Sequence, residues 1–161
     1  MSLLITQGLG IKQKNRKKQM TLKINDTAPD FEAETTQGKI NLYDWAKDSW
    51  IVLFSHPKNF TPVCTTELGA LQSHKGEFDK RNVKILGLSV DPVEDHGKWS
   101  EDIKDVTGFK PEYPLIGDKD LTIAKAYGML PASTEGFSDE RTAADNATVR
   151  NVFVIGPDKK I

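Results

Sequence analysis

Cys64, the single cysteine of this sequence, could carry nucleophilic chemistry. It lies seven positions after Pro57 and three after Thr61, just beyond the apolar run 50–54. A lone thiol is either a small buried hydrophobe or a nucleophile. Pro62 suits the first position of a helix, which places Cys64 in the first helical turn. Unpaired N–H groups and the helix dipole favour a thiolate there. The Thr61 hydroxyl could cap this helix, or bond the sulfur or a substrate oxygen.

Two apolar runs predict the strands that position this thiol. Residues 50–55 and 83–90 both read as strands buried on two faces. A helical pattern follows each run, over about 62–78 and about 91–105. Strands that alternate with helices predict right-handed crossovers and a sheet covered on both faces. Sites in such sheets lie at the carboxyl ends of strands, where Cys64 falls.

Weaker patterns predict the remaining elements. Alternation on both sides of Gln37-Gly38 indicates a hairpin. Trp99 and Ile103 are expected to face inward from the second helix. The other predictions are a helical turn at 43–47, a strand at 113–117, a helix at 119–127 closed by Gly128, a polar loop at 131–147, a strand at 148–155 and a turn at 156–160.

Composition limits the function classes. A chain of 161 residues with 37% hydrophobic and 28% charged residues suits one soluble domain. The net charge of −1 gives no case for nucleic acid, and no apolar run approaches a membrane span. One cysteine excludes an internal disulfide framework and fits a reducing compartment. The spacing of the three histidines indicates no metal site; His74 reads as a structural mid-helix residue and His96 as a helix cap.

Residues 1–20 are basic and contain no acidic residue. Three interpretations stay open: a non-structural extension, a presequence or a functional basic arm. A presequence is usually richer in Arg and Ser than this segment, which has one of each. We therefore expect a domain over 21–161 preceded by a non-structural extension or targeting segment, and a cytoplasmic protein. A mitochondrial location is the alternative if residues 1–20 are a presequence.

The spacing Pro57-x-x-x-Thr61-x-x-Cys64 resembles the active-site motif of the peroxiredoxin family (AhpC/TSA type). The run 56–68 is similar to the one-cysteine, peroxiredoxin 6-like subfamily. The resemblance extends over about 21–161, in order and at family spacing. Further matching segments are 28–31, 89–91, 93–96, 128–130 and 150–154.

This resemblance implies an α/β, thioredoxin-like fold, with a central mixed sheet and helices on both faces. The C-terminal part of the family fold is absent after Ile161, so the domain is expected to be truncated. The implied function is a thiol-dependent peroxidase for hydrogen peroxide and organic hydroperoxides, in antioxidant defence and redox homeostasis. Its alternative is a non-turnover peroxide sensor or holdase-type oligomer that uses the same cysteine.

The resemblance also implies roles for particular residues. Cys64 would attack the peroxide and become a sulfenic acid. Arg150 would favour the thiolate and stabilise the polarised O–O bond. Thr61 would bond the reacting oxygen, and Pro57 would wall the pocket. Two supporting residues are also implied: Glu67, to hold Arg150, unless it is an ordinary helical acid, and His56, beside the pocket, unless it is a loop histidine.

With one cysteine, the cycle needs an external thiol or small reductant such as glutathione, thioredoxin or ascorbate. A resolving cysteine beyond Ile161 is the open alternative. No cofactor or metal is expected. The expected partners are a hydroperoxide substrate, this reductant and a second copy in a homodimer, with no nucleic acid and no membrane.

Overall fold

The computed structural model describes residues 21–129 and 148–161. The predicted extension at 1–20, Leu130 and the predicted loop at 131–147 lie outside the described residues. The elements of the described part are, in chain order, β1 (Glu32–Thr35), β2 (Gly38–Asn41), α1 (Leu42–Ala46), β3 (Trp50–Ser55), α2 (Pro62–Ser73), α3 (Lys75–Lys80), β4 (Val83–Ser89), α4 (Val93–Thr107), β5 (Leu115–Gly117), α5 (Thr122–Ala126) and β6 (Val152–Ile155).

The described strands form one mixed sheet in the order β2-β1-β5-β4-β3-β6. The central strands β3, β4 and β5 run parallel, as the two βα crossovers require. The hairpin β1–β2 and strand β6 are antiparallel to their neighbours. Because β6 pairs directly with β3, the residues just before β6 lie beside the carboxyl end of β3.

Two cores cover the two faces of this sheet. On one face α1 and α5 pack against alternate residues of β3 and β4, such as Leu53 and Leu86. On the other face α2 and α4 pack against Phe54 and Ile85, the alternate positions of the same strands. The thioredoxin-like arrangement with helices on both faces is therefore confirmed, and Cys64 belongs to the second core.

The predicted helix over 62–78 is interrupted at His74, so the mid-helix placement of this residue is wrong. α2 ends at Ser73, and His74 separates it from α3. The side chains of Ser73 and His74 both bond the carbonyl of Ala70, at 2.7 and 2.9 Å. In a regular helix that carbonyl would accept the N–H of His74, which bonds Leu71 instead. Side chains that compete for backbone carbonyls end a helix in this way.

The strand predicted at 50–55 is present with those bounds, and the other predicted elements of the described residues are present with different bounds. The hairpin turns at Gln37-Gly38, and Trp99 and Ile103 are fully buried on α4, as expected. Gly108 ends α4 in the left-handed conformation. The predictions at 113–117, 119–127 and 148–155 were too long, because each includes flanking turn or extended residues outside regular hydrogen bonding. Among the described residues, no helix is long and apolar enough to span a membrane.

Candidate active site

Cys64 lies in the first turn of α2, one loop beyond the carboxyl end of β3. Thr61 occupies the N-cap position with extended backbone angles, and Pro62 is the first helical residue. The missing N–H of Pro62 costs nothing there, because the first N–H groups of a helix have no partner within it. Cys64 is fully buried. Its sulfur therefore lies near the positive end of the α2 dipole and outside bulk water.

The Thr61 side chain does not cap α2. Its hydroxyl instead donates to the carbonyl of Lys58, at 3.2 Å. This contact uses the hydroxyl hydrogen and leaves the lone pairs of Oγ1 free to accept a hydrogen bond. The hydroxyl is thus free to accept a hydrogen bond from another group rather than to complete the helix.

A short extended segment before β6 brings Arg150 to this helix. The Thr148 hydroxyl donates to the carbonyl of His56 at 2.6 Å. The Ser55 hydroxyl donates to the carbonyl of Val149 at 2.5 Å and accepts from the N–H of Asn151 at 3.1 Å. These bonds continue the β3–β6 pairing with side chains where the regular ladder ends. Arg150 is held between them, beside the start of α2.

The guanidinium of Arg150 joins Cys64 to Glu67. Nη2 donates to Cys64 Sγ at 3.4 Å, and Nη1 donates to the Glu67 carboxylate. Glu67 follows Cys64 by about one helical turn, so both side chains point to the same side of α2. Partial burial would lower the pKa of Arg150, but Cys64 and Glu67 outweigh it and raise that pKa above its ordinary value. The guanidinium is thus a permanent cation in direct contact with the sulfur.

An apolar groove of about 820 Å³ begins at this pair. It runs between α2–α3 and the β3–β6 face, with Arg150 and Glu67 in its lining. Its apolar lining residues include Val52, Phe54, Leu71, Phe78 and Val152. Val152 is 68% exposed, so the groove is open along this strand.

His56 follows β3 directly and is buried next to the loop that carries Thr61. Burial is the main cause that lowers the pKa of His56 to about 3, and the nearby His96 adds to the shift. The ring is therefore neutral at physiological pH. Neither of its nitrogens has a hydrogen-bond partner of regular geometry within the described part of the chain, and a contact with the Lys58 backbone only partly offsets the fall of its pKa. Pro57, which follows it, is half-buried in the loop, and its pocket role stays a prediction.

The structure brings together residues that sequence reasoning missed. His96 does not cap α4, because Pro92 occupies the N-cap; it is fully buried and bonds Asn59 in the loop before Cys64. Its ring also packs against that of His56, with 5.6 Å between centroids. His96 precedes Trp99 and Ile103 at helical spacing, so that inward-facing pattern could have identified it. Within residues 21–129 and 148–161, no three His, Cys, Asp or Glu form a candidate metal site.

Comparison with known proteins gives a family match. Residues 24–161 match the model of the AhpC/TSA family. A relative in Saccharomyces cerevisiae, peroxiredoxin PRX1, mitochondrial, is 53% identical over 151 residues, which cover 93% of this chain and 57% of that protein. Peroxiredoxin-6 of Gallus gallus is 49% identical over 145 residues, covering 87% of this chain and 62% of the relative.

A solved structure of the yeast mitochondrial 1-Cys peroxiredoxin superposes on this chain with a TM-score of 0.80 at 53% identity. The match covers 87% of this chain and 65% of that chain. That structure is described as the basis of a thiol resolving mechanism via glutathione and thioredoxin systems. The chain thus spans little more than half the length of the curated relatives it matches.

Proposed function

Since this chain belongs to the AhpC/TSA family and shares the fold of its one-cysteine peroxiredoxins, we propose that it is a thiol-dependent peroxidase acting through Cys64. Its substrates are hydrogen peroxide and organic hydroperoxides. The observation that carries the proposal is the 3.4 Å contact between Arg150 Nη2 and Cys64 Sγ at the start of α2. A lone buried cysteine without a cation would favour a packing role instead.

The proposed step is an in-line displacement on the O–O bond. The Cys64 thiolate attacks one peroxide oxygen, and the O–O electron pair leaves on the other oxygen, which takes a proton to become water or an alcohol. The sulfur is oxidised to a sulfenic acid. Arg150 donors stabilise the negative charge that moves from sulfur to the leaving oxygen. Thr61 Oγ1, oriented by the Lys58 carbonyl, accepts the hydrogen of the attacked oxygen.

Glu67 and His56 support this step without contacting the reacting atoms. The Glu67 carboxylate accepts from Nη1 of Arg150 and so holds the guanidinium with Nη2 directed at the sulfur. The carbonyl of His56 anchors Thr148 and thereby the segment that carries Arg150. Pro57 stiffens the same loop, since its φ is fixed. Cys64 has no exposed surface, so a hydroperoxide reaches it when a neighbouring side chain moves.

The proposed reductant of Cys64 is an external thiol, since residues 1–161 hold one cysteine. A resolving cysteine beyond Ile161 is the alternative, and an intersubunit disulfide after one equivalent of peroxide would reveal it. One thiol condenses with the sulfenic acid to a mixed disulfide and water, and a second thiol releases Cys64. The yeast structure's link to glutathione and thioredoxin systems favours these reductants over ascorbate. No metal or organic cofactor takes part in the proposed cycle.

Location and assembly are part of the same proposal. The domain is taken to begin at about residue 21. The name of the yeast relative includes the word mitochondrial, which favours a presequence in residues 1–20 over the cytoplasmic expectation. Fluorescent fusions with and without residues 1–20 would separate the two. A homodimer is the proposed assembly, measured by sedimentation at several concentrations.

The deciding experiment is peroxide consumption with glutathione, the thioredoxin system and ascorbate in turn. Wild type should turn over with at least one reductant, and Cys64→Ser should not. Ser73→Ala, at the far end of α2, is the control and should retain activity. Intact-mass spectrometry after one equivalent of peroxide should show one added oxygen on Cys64. Oxidation without turnover under every reductant would contradict the peroxidase and favour the sensor.

A further inference from the structure

His96 connects α4 to the loop that precedes Cys64. The residue is fully buried, and its ring bonds atoms from separate elements. Nε2 lies 2.9 Å from the carbonyl oxygen of Ile116 in β5. Nδ1 lies 2.9 Å from Nδ2 of Asn59, in the loop between β3 and α2. The ring lies on the buried face of α4 and bonds both β5 and the loop before α2, so it connects the sheet to that loop.

The partners of the ring decide its hydrogen positions. A carbonyl oxygen can only accept, so Nε2 carries the hydrogen toward Ile116. Nδ1 of the neutral ring is then an acceptor, and Asn59 must present its amide nitrogen. Burial, the main cause, lowers the pKa of His96, which keeps the ring neutral. The contact therefore needs a neutral histidine and a donor at position 59.

Asn59 is held at both its backbone and its side chain. Its N–H donates to the Asp91 carboxylate at 2.9 Å, and its amide donates to His96. Asn59 is 3% exposed, so water cannot replace these bonds freely. The next residue, Phe60, has φ of 58°, a left-handed conformation that costs a bulky side chain energy. Such a conformation persists only where neighbouring contacts hold it.

We propose that His96 and Asn59 are positioning residues for Cys64: the neutral imidazole holds Asn59, Asn59 holds the turn at Phe60, and this turn sets where α2 begins. Cys64 is two residues inside that helix, so a shift of the turn changes its distance from Arg150. This proposal rests on the proposed function of Cys64. It adds that the rate of Cys64 oxidation depends on two residues, His96 and Asn59, that are not assigned a contact with the sulfur.

Two substitutions at one position separate positioning from simple packing. In His96→Asn, the amide oxygen lies near the former Nδ1 and can still accept from Asn59. In His96→Gln, the amide nitrogen lies near the former Nε2 and can still donate to Ile116, but the bond to Asn59 is lost. Each variant loses one of the two ring hydrogen bonds, and Asn, which is one methylene shorter than Gln, leaves the larger gap in the core. Urea unfolding should therefore show the larger loss of stability in His96→Asn, the reverse of the order expected for the rate of Cys64 oxidation.

The rate of Cys64 oxidation by peroxide should differ between the two variants. We expect His96→Gln, which loses the bond to Asn59, to slow this reaction about tenfold. His96→Asn keeps that bond and should stay within about threefold of wild type. Equal rates for the two variants, or slower oxidation in His96→Asn, would overturn the proposal. Intrinsic tryptophan fluorescence in stopped flow is the measurement.

Asn59→Asp supplies an independent test that leaves His96 in place. A carboxylate only accepts, so with Nε2 keeping its hydrogen toward the Ile116 carbonyl it can bond Nδ1 only when the ring is protonated, and the pKa of His96 should rise. The other titratable groups that face this ring are Asp91 after β4, Asp95 on α4 and His56 after β3. The ratio of the variant's oxidation rate to that of wild type should fall as pH rises through the new pKa. A ratio independent of pH contradicts the proposal, even if His96→Gln does not fold.

Alkylation of Cys64 by iodoacetamide separates this inference from the proposed function. The reaction needs an accessible thiolate but no peroxide turnover. If wild type fails to consume peroxide, the peroxidase proposal fails, yet His96→Gln should still react at a different rate from wild type while His96→Asn does not. Identical alkylation rates in all three proteins would overturn the positioning role.

Discussion

At the scale of residues, the candidate site depends on one guanidinium shared by two partners. The planar fork of Arg150 bonds the Glu67 carboxylate with one nitrogen and the Cys64 sulfur with the other. A lysine carries the same charge on a single ammonium, which cannot reach both partners with this geometry. Charge and direction are therefore separable by substitution at this position.

Replacing Arg150 should lower the reactivity of Cys64 in two steps. Arg150→Met removes the cation and the donors, and we expect oxidation about a hundredfold slower than wild type. Arg150→Lys keeps the charge but not the fork, and about tenfold slower oxidation is expected. The measurement is the second-order rate with hydrogen peroxide over a range of peroxide concentrations.

The matched control for that series is Arg81→Met. Arg81 also lines the apolar groove, but its guanidinium pairs with Glu77 at 2.9 Å. Its removal should leave the oxidation rate of Cys64 near that of wild type. A similar loss in Arg81→Met would mean that the groove's overall charge matters, and not the contact of Arg150 with the sulfur.

At the scale of elements, α4 is the platform for the first turn of α2. Besides His96, its buried face carries Trp99, whose indole N–H donates to the Thr65 hydroxyl at 3.0 Å. The same hydroxyl donates to the carbonyl of Thr61 at 2.8 Å. One hydroxyl thus joins α4 to the N-cap of α2. Cys64 lies between the two bonded residues of α2, so these bonds hold its backbone as well.

Breaking this link from both sides at once should cost less than the two single substitutions added together. Trp99→Phe leaves the Thr65 hydroxyl without its donor, and Thr65→Val leaves the buried indole N–H without an acceptor. We expect each to lower the free energy of unfolding by about 1–3 kcal/mol. The double variant should lose less than the sum, because no polar group is then left unpaired across this contact. Strict additivity in urea unfolding would contradict a direct bond.

At the scale of the whole molecule, buried titratable groups set the response to acid. His56 stays neutral down to a pKa of about 3, whereas an unfolded histidine binds a proton near 6.5. Between these values the unfolded state binds more protons, so acid favours unfolding. Asp118 acts in the opposite direction. Burial is the main cause that raises its pKa from 3.8 to about 6, so the folded state gains stability as pH falls through that range.

Stability curves against pH should therefore change with opposite signs in two variants. In His56→Asn, the loss of stability between pH ~6 and ~4 should be smaller than in wild type, by about 1.4 kcal/mol per pH unit. In Asp118→Asn the loss of stability over the same pH range should be larger than in wild type, by a similar amount per pH unit. Urea unfolding at several pH values measures both. If the curve of either variant is parallel to that of wild type, the replaced group has the same pKa in the folded and unfolded protein, which contradicts the prediction.

Local sequence patterns determined much of the fold and the position of the nucleophile. The apolar run at 50–55, the proline at the helix start and Cys64 in the first turn depend on neighbouring residues only, and the structure has them as expected. The alternation around Gln37-Gly38 and the inward face of Trp99 and Ile103 are also local. Periodicity reports such features because burial of one face is encoded within a few residues.

The tertiary structure decided which distant residues meet at Cys64. Arg150 lies 86 residues after Cys64 in the sequence, and its contact with the sulfur follows from the pairing of β6 with β3. His96 reaches Asn59 because α4 packs on the same sheet face as α2. The break at His74 depends on which carbonyls two side chains bond. Strand order and helix packing are set by long-range contacts, so a pattern of period two or 3.6 does not contain them.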